Sequence, residues 1–519
     1  MVILAPVLDR PRAKAPESGP FPNVNLIDRL LADQDRLQTP VADFARAHEL
    51  QTLPPRTELY RHLIPFEKPG DGEQYAFQVE LDKCTSCKAC VTACHSLNGL
   101  DEGESWRDIG LLDGGEDDPA WKQTVTSACH HCAEPECLHG CPVAAYEKDA
   151  ETGIVRHLDD QCIGCEYCVL KCPYDVPKFN ESRGIVRKCD MCHQRLAVGE
   201  APACVQACPN EAIRIVNVDV GTVRRERAAE AGFLIGAPSP ALTLPTTQYL
   251  GREVPETARP AGREELRSEP AHEPLVAMLV LTQAGVGMFS AGLFSGHAFV
   301  LFLGAIAFMA GMMASVSHLG RPLGAWRFFL GLRTSWLSRE ILAFGLVPPL
   351  LGLALAPSGI VPALVFGALG FVAVFTSVMV YHDTGRPFWR FGLTGARFFG
   401  TAVVSGLAAL AFAGTISTLV PLVVLGGKLL LELSSLRSLG DREWSPAQHT
   451  ARLQTGPLRS TFILRMCLGV GAVALLPFWP LASLVVFLLG EVLERRLFFQ
   501  SVWAPRMTSL PLLRPSLHN

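Results

Sequence analysis

The stretch CIGCEYCVLKCP at residues 162–173 decides the fold. It spaces Cys162, Cys165, Cys168 and Cys172 as C-x2-C-x2-C-x3-C and closes with Pro173. Three similar groups accompany it. CTSCKACVTAC holds Cys84, Cys87, Cys90 and Cys94. CHHCAEPECLHGCP holds Cys129, Cys132, Cys137 and Cys141, with one gap widened. The last group, Cys189, Cys192, Cys204 and Cys208, opens a long gap before Pro209. Sixteen of the 17 cysteines fall between Cys84 and Cys208, and only Cys467 lies beyond.

C-x2-C-x2-C-x3-C-P is the spacing of bacterial ferredoxins. Three close thiolates wrap one cubane, with backbone N–H groups turned toward its sulfides. The fourth cysteine, at the start of a helix, reaches the other cluster of a pair. Sixteen thiolates then serve four [4Fe–4S] clusters. Zinc also takes C-x2-C pairs, but a tetrahedral site has no need of repeated three-thiolate runs followed by C-P. Disulfides do not suit a reducing compartment. Cys467 sits in an apolar segment and reads as a small core residue.

Composition divides the chain in two. Of 519 residues, 49% are hydrophobic and 18% charged, and mean hydropathy is +0.24. From residue 275 onward there are 17 Lys+Arg and 7 Asp+Glu, a net of +10. The preceding 274 residues carry 29 and 43, a net of −14. An acidic, Cys-rich soluble half thus precedes an apolar, cationic one. No basic face is available for nucleic acid. The start, MVILAPVLDRPRAKAPESGP, lacks the apolar run and small-residue cleavage site of a secretory signal, and no twin-arginine pair precedes an apolar run.

The expected organisation is an N-terminal extension over 1–75 with a helix near Asn25–Leu37, a four-cluster ferredoxin-like domain over 76–217, an extended Pro/Ala/Arg/Glu-rich linker over 218–273, a membrane domain over 274–500 and a tail over 501–519. The extension is either a mobile tail or a strap for a partner. The membrane domain shows eight apolar segments, at 274–294, 298–317, 339–356, 360–381, 396–414, 417–437, 459–477 and 480–500. Most approach the ~20 residues that cross a bilayer. The fold class is therefore an α+β bacterial-ferredoxin-like four-cluster domain followed by an all-α eight-helix transmembrane bundle.

Alternate loops of the membrane half are basic, with Arg321, Arg327, Arg333 and Arg339 after the second segment and further arginines after the fourth, sixth and eighth. The opposite loops hold no Lys or Arg. By the positive-inside rule the basic loops face the cytoplasm, and the Cys-rich half with them. The expected location is the inner membrane, multi-pass.

His130, His131 and His193 lie inside the cysteine groups and suit surface or hydrogen-bonding roles, since the thiolate count is already complete. Arg183, Arg187 and Lys188 either offset cluster charge and raise potential or form a solvated face. In the membrane half, Lys428 and Glu432 stand four apart, and Arg465 and Glu491 are candidates to pair between segments. Such intramembrane charges are either functional or mutually neutralising. AGVG at 284–287 reads as helix packing rather than a nucleotide fingerprint.

CTSCKACVTACH, CHHCAEPECLHGCP, CIGCEYCVLKCPYDVPKFN and RKCDMCHQRL…CVQACP resemble the iron–sulfur subunit of dimethyl-sulfoxide-reductase-type molybdoenzymes over about 75–217. His95 follows Cys94 where the other groups have proline. SVSHLGRPLGAWRFF, TSWLSREILAFG and LLGEVLERRLFF are similar to the membrane anchor subunit of the same enzymes over about 274–500, so the chain looks like a fusion of the two. The resemblance implies four ligand sets: Cys84, Cys87, Cys90 and Cys208; Cys189, Cys192, Cys204 and Cys94; Cys129, Cys132, Cys137 and Cys172; Cys162, Cys165, Cys168 and Cys141. It also implies a molybdopterin-containing catalytic subunit as partner, exchange with the membrane quinone pool (menaquinone or ubiquinone) and no haem, and it ties His318 to the quinone site.

His318 ends the second segment on the side of the clusters, where an imidazole can exchange the quinol proton. Arg321 could orient a quinone oxygen or bind lipid phosphate, and Glu340 could relay protons or simply favour a helix N-terminus. A haem between His318 and His382 is the competing reading, against which neither histidine lies deep in a helix. No catalytic residues are expected in this chain. The function expected is an electron-transfer and anchor subunit passing electrons between quinol and a separate molybdenum subunit. The alternatives are delivery of electrons to quinone from a cytoplasmic sulfite-oxidising-type enzyme, or a part in an ion-translocating quinone oxidoreductase.

Overall fold

A computed structural model describes residues 60–114, 121–354 and 360–507. The expected helix near Asn25–Leu37 lies outside the described residues.

The cysteine groups are carried on turns between short strands and helices. Strands β1 (Glu73–Glu80), β2 (Asp108–Asp113), β3 (Lys122–Ser127), β4 (Tyr146–Lys148), β5 (Val155–His157), β6 (Lys178–Asn180), β7 (Ile185–Arg187), β8 (Ile213–Asp219), β9 (Gln248–Leu250) and β10 (Arg259–Pro260) form two three-stranded sheets, ordered β8-β1-β9 and β10-β2-β3, and two hairpins, β4-β5 and β6-β7. Helices α1 (Ala89–Leu97), α2 (Glu136–His139), α3 (Tyr167–Lys171), α4 (His193–Ala197) and α5 (Ala203–Gln206) each begin inside a cysteine group. The turns repeat one another. The residue after the second cysteine is left-handed in two groups, Lys88 at φ 60° and Glu166 at φ 57°, so the chain doubles back before each helix. The domain is α+β, as expected.

Residues 218–273 correct the expectation of an extended linker. Helix α6 (Val220–Ala228) starts on Asp219, whose carboxylate accepts from Thr222 N at 2.6 Å. Strand β9 then pairs parallel to β1, and β10 pairs with β2. Proline-rich composition disguised this because TTQYL supplies a β-branched and aromatic edge strand. Thr246 is fully buried and its hydroxyl donates to the His130 carbonyl at 2.8 Å. Both flanking boundaries shift as well. Tyr60, Leu63 and Ile64 already belong to the ferredoxin-like core, and the first residues of the expected tail pack through Val502 and Met507.

Among the described residues, eight apolar helices follow: α7 (Glu273–Ser295), α8 (Ala298–Ser317), α9 (Trp336–Ala354), α10 (Ile360–His382), α11 (Phe391–Phe412), α12 (Leu419–Leu433), α14 (Arg459–Leu475) and α15 (Pro480–Gln500). A short α13 (Pro446–Thr455) precedes α14. Among the described residues, four helices are long and apolar enough to cross a membrane (α7, α8, α11 and the 419–440 helix), or five if the bent pair α13 and α14 is one span. Glycines let α7 and α8 touch backbone to backbone: a Cβ on Gly285 would lie 2.6 Å from Phe308 N. The AGVG stretch is a packing surface.

Charges inside the bundle pair off. Lys428 Nζ lies 2.7 Å from Glu432 and 2.9 Å from Glu491; Arg465 reaches the same two carboxylates at 2.8 and 2.7 Å. Arg495 donates to Gln283 and Thr401, each at 2.8 Å. All four ionic partners are buried. Glu491→Leu leaves Lys428 and Arg465 to share Glu432 alone, two buried cations on one carboxylate, a loss of about 3–5 kcal/mol for a broken buried pair. The expected result is a lower thermal midpoint of the detergent-solubilised protein; an unchanged midpoint would show that the network contributes nothing to stability.

Candidate functional site

The sixteen thiols of the ferredoxin-like domain are buried or half-buried except for the exposed Cys87, and their neighbours come from distant groups. Cys204 and Cys208 act electrostatically on Cys90, while Cys204 and Cys192 act on Cys94. Cys129 and Cys172 act on both Cys132 and Cys137. Cys141 and Cys162 act on Cys165 and Cys168. The fourth cysteine of each group therefore faces a different group from its own. Backbone N–H groups turn onto sulfur where the turns permit: Gly164 N lies 3.4 Å from Cys162 Sγ, Ala145 N 3.2 Å from Cys141 Sγ and Ala212 N 3.2 Å from Cys208 Sγ.

Burial raises most of these thiols. It pushes Cys94 up to about 12 and Cys192 up to about 11, with neighbouring thiols adding to the effect at Cys94. Thiolate is the ligating form, so iron must displace these protons. The donor set fits iron–sulfur clusters: soft thiols, grouped in fours, with N–H donors aimed at sulfur. Cys467 stands apart and is exposed on α14, not a core residue as expected.

The histidines of the cysteine groups divide. His130 and His131 are buried, the first sharing a 2.9 Å hydrogen bond with Thr247 Oγ1 and the second accepting from Val155 N at 3.1 Å. His193 is half-buried and lies 2.9 Å from Asp190. Arg187 is paired with Glu104 at 3.0 Å, and Lys188 is buried among thiols. Neither is a solvated face.

The ferredoxin-like domain sits on the arginine-bearing ends of the bundle helices. Gly320, just past α8, is in backbone contact with Gly164 and Gly184, where any Cβ would collide. Arg321 N donates to the Ile163 carbonyl at 3.0 Å, and Ser335 Oγ to the Gly140 carbonyl at 2.7 Å. Tyr167 Oη donates to the Val380 carbonyl at 3.0 Å, and Lys171 pairs with Asp383 at 2.8 Å.

A cavity of about 290 Å³ lies at this junction. Cys165 and Cys172 line it, together with His272, His318, Arg386 and Glu269. His318 caps α8 one residue beyond its last turn, and its Nδ1 is buried without a well-formed hydrogen bond. Burial pushes His318 down to about 4, only partly countered by the Ser315 carbonyl. Burial also lowers His272, and it pushes Glu166, another lining residue, up to about 7. Arg386 is buried over the Trp389 ring.

The other two residues tied to this site by sequence stand elsewhere. Arg321 Nη1 donates to the Asp159 carbonyl at 2.8 Å, so its guanidinium clasps the ferredoxin-like domain rather than the cavity. Glu340 is buried in α9, bonded to Ser377, and does not line the cavity. His272 and Arg386 escaped sequence reading. His272 precedes an apolar segment and Arg386 belongs to a basic loop, and only the fold brings them beside His318.

Comparison with known proteins agrees with both halves. A 4Fe-4S dicluster domain model matches residues 121–218, and a DMSO reductase anchor subunit model matches residues 271–436. The B subunit of anaerobic dimethyl sulfoxide reductase from Escherichia coli (strain K12) is 38% identical over 175 residues, 32% of this chain and 82% of the relative. The thiosulfate reductase electron transfer subunit PhsB of Salmonella typhi is 36% identical over 155 residues, 29% of this chain and 80% of that one. The formate dehydrogenase-O iron-sulfur subunit of Escherichia coli (strain K12) is 34% identical over 176 residues, 30% of this chain and 58% of that subunit. With its four thiol groups interleaved and an anchor domain continuing the same polypeptide, this protein belongs to the family of dimethyl sulfoxide reductase iron–sulfur subunits, fused here to the anchor subunit.

Proposed function

We propose that this chain passes electrons between membrane quinol and a separate molybdopterin-containing catalytic subunit, which it also anchors to the membrane. The single observation that carries this reading is the junction cavity, which puts Cys165 and His318 in one wall-to-wall space. The clusters, when bound, accept and release single electrons. The four thiol neighbourhoods support four [4Fe–4S] clusters, held by the sets implied in the sequence; the set with Cys162, Cys165, Cys168 and Cys141 lies nearest the membrane half.

The residues around the cavity supply what quinol oxidation asks of a protein. His318, neutral at physiological pH, receives a hydroxyl proton. His272 and Glu166 are further groups able to hold protons, and Arg386 offers a fixed donor to a quinone oxygen. At about 290 Å³ the space suits a headgroup, with its isoprenoid tail left in the bilayer. The eight apolar helices support eight spans, and the arginine-rich loops against which the ferredoxin-like domain docks support a cytoplasmic position for it.

Ion translocation finds less support. Residues 341–382, 398–427 and 466–490 contain no Asp, Glu, Lys or Arg, so the buried ionic network stops in the half of the bundle near the ferredoxin-like domain. Anaerobic mixing of the purified complex with a menaquinol analogue tests the reading: the visible iron–sulfur absorbance bleaches in one turnover. A cluster-replete complex that stays oxidised at every quinol concentration would refute it.

A further inference from the structure

We propose that Arg107 and Lys188 are two fixed positive charges set between successive thiol sets, holding up the reduction potentials of the clusters on either side. This rests on the four-cluster reading above.

Arg107 immediately precedes β2 and is 2% exposed. One nitrogen, Nη1, donates to Thr126 Oγ1 at 3.1 Å, and the guanidinium lies 4.6 Å over the Phe77 ring. Its Nε and Nη2 are buried without a hydrogen-bond partner. The largest charges around it are those of Cys204, Cys90, Cys189 and Cys94. Cys90, whose Sγ lies 3.6 Å from the same Thr126 hydroxyl, belongs to the first set and the other three to the second, so the guanidinium charge acts on both sets.

Lys188 repeats the arrangement one step along. It is 3% exposed. Its Nζ lies 3.6 Å from Cys129 Sγ and donates to the carbonyls of Val155 and of Cys189, the latter at 2.9 Å. Cys129 and Cys137 belong to the third set and Cys189 to the second. Among the described residues neither cation forms an ion pair with a carboxylate, whereas Arg187 has Glu104 and Lys171 has Asp383. A buried cation without an ion-paired carboxylate is costly, and the thiolate sets supply the largest compensating charges, with Asp190 adding a smaller one at Lys188.

Between the third and fourth sets there is no such cation among the described residues. Tyr146, buried and neutral, stands among Cys168, Cys137 and Cys141. These two buried cations are thus unevenly spread: the second set is flanked by both, the first and third by one each and the fourth by neither, while the half-buried Lys148 lies by Cys132 of the third set and His157, ion-paired with Asp159, by Cys162 of the fourth. Each one-electron reduction adds one negative charge to a cluster. A fixed cation nearby in a low-dielectric interior stabilises the reduced form, and net local charge is a recognised determinant of such potentials.

The test is a redox titration of the intact complex followed by electron paramagnetic resonance, with iron counted in parallel. Arg107→Met and Lys188→Met remove the charges; Arg107→Lys and Lys188→Arg keep them. With iron retained, each neutral variant moves two of the four cluster signals to lower potential. The expected size is about tenfold in the oxidised-to-reduced ratio, about 59 mV for a one-electron couple. One signal moves in both variants and one in neither, and the charge-keeping variants stay near wild type. Iron loss in the neutral variants alone also supports the proposal, since the charge is then needed to assemble the clusters. Unmoved signals at full iron, all four signals moving together, equal shifts in the charge-keeping variants, or iron loss in both members of a pair would overturn it. A wild-type complex without iron would instead overturn the four-cluster reading beneath it.

Discussion

Cys165→Ala abolishes quinol-linked turnover of the complex while leaving dye-linked turnover of its catalytic partner intact. The thiol stands in the wall of the junction cavity and is in electrostatic contact with Cys141 and Cys162 of the same set. Alanine removes one of four thiolates from the set nearest the membrane half, and no other free thiol is placed to replace it: the remaining cysteine outside the sets, Cys467, is exposed on α14. Iron content falls with the activity. Dyes deliver electrons to sites beyond the gap, so their reaction survives. Cys467→Ala is the control and changes neither rate nor iron. Quinol-linked turnover that persists in Cys165→Ala at wild-type rate would place the quinone elsewhere.

His318→Gln lowers quinol-linked turnover about 100-fold or more, with iron content unchanged. General acid–base groups contribute ~10²–10⁴-fold, and His318 is the cavity imidazole with a buried nitrogen that lacks a well-formed hydrogen bond. The pH profile separates this role from packing. Burial depresses the imidazole to about 4, so it remains neutral and able to take a proton at every higher pH; as pH falls through about 4 it protonates and that capacity goes. The wild-type acid limb of quinol oxidation is therefore expected near pH 4 rather than near the ordinary histidine value of about 6.5. In His318→Gln the residual rate loses that limb. A variant with the wild-type limb and rate would remove His318 from the chemistry.

The cysteine spacing and the apolar segments made most of the fold legible, because both are local. C-x2-C-x2-C fixes a turn whatever surrounds it, and a run such as 298–317 declares its own environment. Residues 218–273 were illegible for the opposite reason. Strand β9 exists because β1, far earlier in the sequence, offers it an edge, with Val79 beside Tyr249, and composition carries no trace of such pairing. The site was half legible. His318 showed itself by its place at a helix end, but Arg321 three residues on turns to the Asp159 carbonyl instead. Arg107 gave no signal at all, since a single arginine in SWRDIG looks like any surface charge until the sheet buries it between thiol sets.

Metal analysis of the detergent-solubilised complex, purified through this chain, tests the central claim most directly. Four cubanes held by these sixteen thiols predict about 16 Fe per chain, together with about one Mo or W from the catalytic partner. Zinc in place of iron, or iron sufficient for only one cluster, would contradict the electron-transfer account from its base.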